Sequence, residues 1–516
     1  MEYYSRFPLN LTSTIVLLVP AIIFLLIKKW NKSRKPHICV KLPPGPKTLP
    51  IIGHLHLMST LPFRSFRHLA EQFGPIMLLK LGEVPTIVIS SPEIAKQMLK
   101  DNDPHFAGRP ESIAVKIMWY DYKNIVFSPY GNYWRQMRKI CVMELLGAKS
   151  VRSFGSIRND EVSGLIKSIR LSSGKPINLT EKISSLISSI TCRAAFGKVC
   201  KDRDTLTKLM KEAFRMAAGL EIADLFPSSK IISTLSWSKL RLLTMRRKLD
   251  VILDAIINEH KENLANGEFG NEDLVDVFLR IQKSGELEFP IGNDNIKAVI
   301  YDMFAAGTET SSTTIDWTMT ELMRNPRVMA KAQAEVRKIF KGGKIIEEND
   351  VQKLKYLKLV IKETLRLHPP APIIFRASRE EREINGYTIP AKIRVLVNVW
   401  GMQRDPKYWT NPGNFEPERF ENQALDFVGG DFQYIPFGSG SRMCPGMTFG
   451  LANIELPLAQ LLYSFNWKLP DGVKAEDLEM IENPGVTAAR KNKLFVVPTT
   501  YESLGWKSHC QYYNLF

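Results

Sequence analysis

The stretch Phe437-Gly438-Ser439-Gly440-Ser441-Arg442-Met443-Cys444-Pro445-Gly446 decides how the rest of the chain is read. It is a glycine-rich loop that carries a cysteine and runs into an apolar helical segment, Thr448 to Leu462. A cysteine so placed is a buried small hydrophobe, a zinc ligand, or a single thiolate ligand to a larger cofactor. Zinc takes about four ligands, usually from paired Cys/His motifs, and Cys444 has no Cys-x-x-Cys partner. A phosphate loop of the Gly-x-Gly-x-x-Gly type needs glycine where Met443 stands. A serine nucleophile elbow at Ser439 needs glycine where Phe437 stands. The pattern that survives is Phe437-x-x-Gly440-x-Arg442-x-Cys444-x-Gly446.

That pattern resembles the haem-binding loop of the cytochrome P-450 superfamily, the haem-thiolate monooxygenases. The resemblance implies a mostly α fold with a small β-rich lobe. It also implies haem b as cofactor, with Cys444 as the axial thiolate on its iron. Free cysteine has a pKa of ~8.5, and metal coordination deprotonates it. A thiolate opposite the oxygen site favours O–O cleavage. Glycines at 438, 440 and 446 let the backbone turn tightly near the sulfur, and Arg442 is expected to offer charge to a haem propionate.

The chain has 516 residues, and no linker or composition shift divides residues 50 to 500, which reads as one large catalytic unit. The formal net charge is +17, but the basic residues are scattered and no nucleic-acid motif occurs. An anionic membrane surface and an acidic protein partner are the expected counterparts. Six dispersed cysteines show no disulfide framework, which fits a reducing, cytosol-facing location.

No charged residue occurs from Phe7 to Ile27, and Lys28, Lys29, Lys32, Arg34 and Lys35 follow. The apolar stretch Leu11–Ile27 has 17 residues and would span roughly 26 Å as helix. The positive-inside rule then places the rest of the chain in the cytosol. Residues 1–30 are expected to be an uncleaved single-pass anchor in the endoplasmic reticulum membrane. Residues 31–50 form a basic, proline-rich hinge around Leu42-Pro43-Pro44-Gly45-Pro46, and residues 51–516 form the catalytic domain.

Strands are expected at Ile76–Leu81 and Thr86–Ile89, around a Gly82–Pro85 turn. Residues 103–127 lack clean periodicity; the resemblance makes them the roof of a substrate pocket. Trp134 and Arg138, four apart, share one helix face. In the resembled family these positions bind a haem propionate, and Arg135, Lys139 and Lys149 are expected to dock a reductase. The apolar run around Ile222–Phe226 and Ile231-Ile232 either enters the bilayer or packs internally.

Asp294 to Arg324 reads as one helix of roughly 46 Å, capped near Asn293/Asp294 and stopped by Asn325-Pro326. Its apolar pattern breaks at Ala306-Gly307-Thr308-Glu309-Thr310-Ser311, a local conflict of the kind found at functional sites. Two readings stay open for the break alone. Either it is a kink with satisfied hydroxyls, or it is an acid–alcohol pair, Glu309 and Thr310, that delivers protons to bound oxygen. The small Ala306 and Gly307 would let a flat cofactor lie close. The segment resembles the family's oxygen-activation motif, with Glu309 where many relatives have Asp.

Glu363 and Arg366, three apart on one helix, together with Arg419 resemble the family's structural Glu-Arg-Arg cluster. An apolar strand at Ala371–Phe375 is expected to line the pocket, and Arg376 to serve as a second propionate arginine. Plant relatives usually show Pro-Arg-Glu here, whereas this chain has Phe375-Arg376-Ala377 and is one residue shorter. Asn385-Gly386 marks a hairpin, Ile393–Val399 a buried strand, and Pro484-Gly485-Val486-Thr487 a turn into the pocket. The pocket candidates are Ile117, Trp119, Met303, Ala306, Ile373, Ile374, Val486 and Thr487.

The resemblance is nearest to plant microsomal members that oxidise terpenoids, alkaloids and phenolics. It implies that one oxygen atom of O2 enters a lipophilic substrate. NADPH-derived electrons would come through a separate NADPH-cytochrome reductase, because no flavin-binding domain is visible. A sesquiterpene or diterpene is the expected substrate, with an indole alkaloid or phenolic second. Two other classes are a haem-thiolate isomerase or dehydratase, and a non-catalytic haem- or sterol-binding protein; Glu309-Thr310 argues against both.

Overall fold

The computed structural model describes residues 41–219, 221–229, 236–267, 272–285, 287–340, 346, 348–421 and 425–501. The expected anchor, the first half of the hinge, Ile231-Ile232 and the tail after Tyr501 lie outside these residues. Among the described residues no helix is long and apolar enough to cross a membrane.

Among the described residues helices predominate, and nine short strands form three small sheets. The strands are β1 (Ile76–Leu81), β2 (Val84–Ile89), β3 (Ile177–Asn178), β4 (Ile373–Ala377), β5 (Arg382–Ile384), β6 (Tyr387–Ile389), β7 (Arg394–Asn398), β8 (Phe465–Lys468) and β9 (Phe495–Thr500). The largest sheet runs β1-β2-β7-β4, and only the β2–β7 pairing is parallel. Strand β7 is buried along its whole length, as its unbroken apolar run after Arg394 requires. Strand β2 begins earlier than expected, which narrows the turn to Gly82-Glu83, with Gly82 at φ 63°. Asn385 (φ 51°) and Gly386 (φ 72°) join β5 to β6 in the primed turn that Asn-Gly favours.

The central helix, Asn293–Arg324, is buried on nearly every side. It packs against the helices Leu179–Phe196, Lys355–Leu367 and Met447–Ser464. Gly292 is its N-cap, one position before the expected cap, and the Gly292 N–H donates to Asn295 Oδ1 at 3.0 Å. A helix so rich in hydroxyls is buried because they return to backbone carbonyls four residues back. Ser312 reaches Thr308 at 2.8 Å, Thr318 reaches Thr314 at 2.7 Å and Thr320 reaches Asp316 at 2.7 Å.

Segment 103–127 is more regular than expected. It holds two short helices, Asp103–Phe106 and Ile113–Met118, then a left-handed turn at Tyr120, Asp121 and Tyr122 (φ 55°, 58° and 62°). Such a conformation costs ~1–2 kcal/mol per non-glycine residue. Local bonds offset it: Tyr120 Oη donates to Asp250 at 2.8 Å, and Arg246 lies over the Tyr120 ring at 3.1 Å.

Beyond the turn, Asp302 of the central helix clamps the chain. Its carboxylate accepts from Asn124 Nδ2 at 2.9 Å, Ile125 N at 2.9 Å and Val126 N at 3.0 Å. Burial pushes this carboxyl up to about 6, against the pull of those hydrogen bonds. A folded-state value above the ordinary one means the group opposes folding as pH rises through about 6 and ceases to do so below its unfolded value. Asp302→Leu strands three donors, at ~1–3 kcal/mol each, and should lower stability by about 3 kcal/mol or more in chemical denaturation. Asp302→Asn should cost less and remove this group's pH dependence.

Candidate active site

The cysteine loop is built by two left-handed glycines, Gly438 and Gly440, both at φ 73°. A Cβ on Gly440 would collide with the Leu99 carbonyl and the Asp103 carboxylate, so only glycine fits. Asp103 then accepts from Ser441 N at 3.0 Å. Inside the loop Met443 N donates to Gly440 O at 3.0 Å, and Cys444 N donates to Phe437 O at 2.9 Å. Gly446 follows and caps the apolar helix Met447–Ser464. The Cys444 side chain is open to a water-sized probe although protein surrounds it on every side, so it faces an internal space. Burial raises its thiol, while the Gly446 backbone and Arg138 pull it down.

Four guanidinium groups gather beside this loop. Arg442 donates to the carbonyls of Ala107 at 3.0 Å, Ile125 at 3.4 Å and Ser128 at 2.6 Å, and lies 4.3 Å over the Trp134 ring. Arg138 donates to Met443 O at 2.6 Å. Trp134 Nε1 is engaged with Ile125 O at 3.0 Å. Arg376 is buried; its Nη1 reaches Phe375 O at 3.2 Å, and its Nε has no protein partner. The shorter sequence around Phe375 therefore still delivers Arg376 to the group.

Arg109 is the fourth, and sequence reasoning missed it. Its Nε donates to Val126 O at 2.8 Å and its Nη1 to Phe375 O. The signal was present: a lone arginine in Phe106-Ala107-Gly108-Arg109-Pro110, within a poorly periodic stretch. Like Cys444, Arg109 is enclosed by protein yet partly open, so it borders the same kind of internal space.

Burial and neighbouring arginines hold down Arg109, Arg376 and Arg442. Burial, then Arg109 and Arg138, bring Arg442 to about 8. Burial brings Arg109 to about 10, and it lowers Arg376 well below the usual range, with Arg109, Arg442 and Arg138 adding to the effect. Asp103 is the acid that relieves both Arg376 and Arg442. Buried like charges of this kind are stable only with an anion among them. An open thiol beside an undercompensated arginine group, with a buried orphan N–H on Arg376, fits a metal cofactor that carries carboxylates. The residues present therefore suit haem.

The central helix packs against the helix that follows the cysteine loop. Its middle is buried except at Ala306, Gly307 and Thr310. Ala306 and Thr310, four apart, open on one face, and the Thr310 hydroxyl donates to Ala306 O at 2.6 Å. The Cβ direction of Gly307 meets Thr191 at 3.2 Å and Phe449 at 3.4 Å, so its small size lets neighbouring helices close up. Glu309 is buried with Oε2 unpartnered. Burial pushes its carboxyl up, opposed by Lys211. No hydrogen bond joins Glu309 to Thr310; adjacent residues point about 100° apart on a helix.

Ile117, Trp119, Met303 and Val486 share one apolar cluster. Trp119 is fully buried against Phe127 at 5.3 Å, Tyr301 at 5.4 Å and Phe214 at 5.7 Å. Val486 N donates to Phe214 O at 3.3 Å, and Thr487 beside it is buried. Ile373 and Ile374 do not share a face. They alternate across β4, Ile373 packing with Phe66 and Leu396, and Ile374 lying 3.8 Å from the Cβ position of Gly438.

Behind the loop, Glu363 and Arg366 are fully buried and doubly bonded, at 2.7 and 2.8 Å. Glu363 also accepts from Arg419 Nε at 3.0 Å and Glu416 N at 2.9 Å. Arg366 donates to the carbonyls of Gln403, Pro412 and Asn414. Gln403, also missed, carries the link onward: its Nε2 holds Leu365 and Arg366 carbonyls, and its Oε1 accepts from Ile435 N at 3.2 Å. On the outer surface Arg135, Lys139 and Lys149 are exposed.

The family model for Cytochrome P450 matches residues 43–496. The chain is 55% identical over 483 residues to premnaspirodiene oxygenase of Hyoscyamus muticus, covering 92% of this chain and 96% of that protein. It is 54% identical over 485 residues to 5-epiaristolochene 1,3-dihydroxylase of Nicotiana tabacum, covering 92% and 96%. Among solved structures, a zebra fish cytochrome P450 with progesterone aligns with a TM-score of 0.73 at 24% identity, over 85% of this chain and 99% of that one. With matches of that extent, the chain belongs to the cytochrome P450 family.

Proposed function

We propose that this chain is a membrane-bound, haem-thiolate monooxygenase that hydroxylates or epoxidises a terpenoid, a sesquiterpene or diterpene. The observation that carries the reading is the convergence of the open Cys444 thiol, the four arginines and the open Ala306–Thr310 face of the central helix. The names of the two plant relatives, an oxygenase and a dihydroxylase, support the reaction class. The apolar cluster of Ile117, Trp119, Met303 and Val486 supports a lipophilic substrate.

When bound, haem supplies the redox chemistry that activates O2, with electrons from NADPH through a reductase. The protein's part follows from its own residues. Cys444 would hold the iron. Arg109, Arg138, Arg376 and Arg442 would hold its carboxylates. The Thr310 hydroxyl is shared with Ala306 O and is free to turn and hold a proton at the open face. Glu309, kept protonatable by burial, stores a proton one residue away. Thr310→Ala should cut product roughly tenfold to a hundredfold while NADPH consumption continues and peroxide is released. Unchanged product per NADPH would remove the proton-holding role.

Residues 1–30 are read as an anchor in the endoplasmic reticulum membrane. Exposed apolar side chains at Leu49, Ile51, Ile52, Ile222, Trp237 and Leu240 support contact with lipid. The test is expression with a plant reductase, followed by assay of carbonate-washed microsomes on a terpene panel with product identification by mass spectrometry. Oxygenated product that requires both NADPH and reductase is expected in the membrane fraction. Product formed from a peroxide substrate without reductase would assign the chain to the isomerase or dehydratase class instead.

A further inference from the structure

Two cysteines outside the reacting centre meet. Cys192 lies in the last two turns of the helix Leu179–Phe196, and Cys200 lies in the loop that follows. Their sulfurs are 3.8 Å apart. Of the four described cysteines only these two touch one another. A disulfide brings its sulfurs to ~2.05 Å, so each would move by about 1 Å. A small turn of the two side chains supplies that.

Local packing holds the pair together. Gly197 ends the helix at φ 70°, the left-handed cap that turns the chain back on itself. Arg203 then ties the loop to the helix: its N–H donates to Cys200 O at 3.2 Å and its Nη1 to Ser189 Oγ at 2.6 Å. Lys198 pairs with Glu259 of the neighbouring helix Trp237–Asn266. The two thiols differ in access. Cys192 is fully buried, whereas Cys200 is 8% exposed and sits between exposed residues on either side, 197–199 and 201–202. The contact with Cys192 pulls the Cys200 thiol down, against burial and Asp202 and with help from Arg203. Cys141 is different: it is fully buried, and burial pushes its thiol up.

We propose that Cys192 and Cys200 form a peroxide-sensitive modification site that closes to a reversible disulfide. The Cys200 thiolate attacks hydrogen peroxide: an S–O bond forms, the O–O bond breaks, and the departing hydroxide takes up the proton that Cys200 released. Cys192 then attacks the sulfenic sulfur of Cys200. The S–S bond forms, the S–O bond breaks, and hydroxide leaves with the Cys192 proton as water. Two thiols thus lose two electrons, and one peroxide becomes two waters. In a reducing compartment such a disulfide is transient, and a dithiol reductant restores the thiols. The bridge closes at the end of the helix that packs on the central one, where Phe196 stacks with Phe304 at 6.3 Å. The site does not depend on the terpenoid oxidation proposed above.

The test exposes the haem-loaded full chain to a small excess of hydrogen peroxide, blocks free thiols with N-ethylmaleimide under denaturing conditions, and digests with trypsin. Mass spectrometry should find peptide Ile183–Arg193 joined to Val199–Lys201, lighter by two hydrogens than the separate peptides. Dithiothreitol should separate them. The link should exceed any that involves Cys141 or Cys444 at least tenfold. In Cys192→Ala, Cys200 should stop at the sulfenic acid and be captured by dimedone. In Cys200→Ala, Cys192 should take up N-ethylmaleimide in full. The unmodified chain decides the matter if either variant loses haem. Full alkylation of both thiols after peroxide, a link to Cys141 or Cys444 of equal abundance, or Cys200 left unoxidised in Cys192→Ala would overturn the proposal.

Discussion

Cys444→Ser should abolish the red-shifted absorption band of the reduced carbon monoxide complex and all product formation. The loop that positions the sulfur does not use the thiol. Its turns rest on Gly438, Gly440, the Cys444 N–H to Phe437 O bond and the Asp103 contact to Ser441. Serine therefore fits the backbone, and the fold should be retained. What is lost is a ligand that ionises easily: an alcohol is far harder to deprotonate than a thiol with a free pKa of ~8.5. The arginine group remains, so some haem should still bind through its carboxylates. Circular dichroism and haem content separate the two losses. A variant that kept the red-shifted band would show that another group ligates the iron.

Glu363→Ala and Arg366→Ala should each prevent recovery of haem-loaded protein. Both side chains are fully buried, and each serves several partners. Glu363→Ala leaves Arg366 as a buried charge without a carboxylate, at ~3–5 kcal/mol. Arg366→Ala leaves Glu363 with Arg419 alone as its cation and strands the carbonyls of Gln403, Pro412 and Asn414. A typical domain has only about 5–15 kcal/mol of stability in total. The damage should also travel. Arg366 anchors the segment that holds Gln403, and Gln403 anchors Ile435, two residues before Phe437. Soluble protein yield and haem content measure both effects. Full haem loading in either variant would mean that the cluster does not support the loop. Arg419→Ala should be milder, because Arg419 bonds Glu363 through one nitrogen and sits at the edge of the cluster.

Much of the site was legible because its parts are local. Phe437 to Gly446 states its own turn through glycines at positive φ. Ala306 to Thr310 declares itself by a polar break within an apolar helix, and Asn385-Gly386 by its turn chemistry. Glu363 and Arg366 are one helical turn apart, so spacing alone pairs them. In the Ser/Thr-rich helix Thr310, Ser312, Thr314, Thr318 and Thr320 bond backbone carbonyls, Thr308 Oγ1 is buried without a partner among the described residues, and Ala306 and Thr310 stay partly open.

The amino-acid sequence by itself determined the family, the helical architecture and the identity of the sulfur that meets the iron, since each rests on residues within about ten positions of one another. Only the tertiary structure decided which side chains complete the site. Arg109 joins the arginine group by donating to Val126 and Phe375, and Asp302 fixes the loop at Asn124–Val126 from the central helix. Ile373 and Ile374 part company across β4. Such contacts join positions up to hundreds of residues apart, as Arg138 and Met443 do. No local pattern encodes them; they exist because chain folding brings distant backbone carbonyls and buried charges together, and buried polar groups must find partners there.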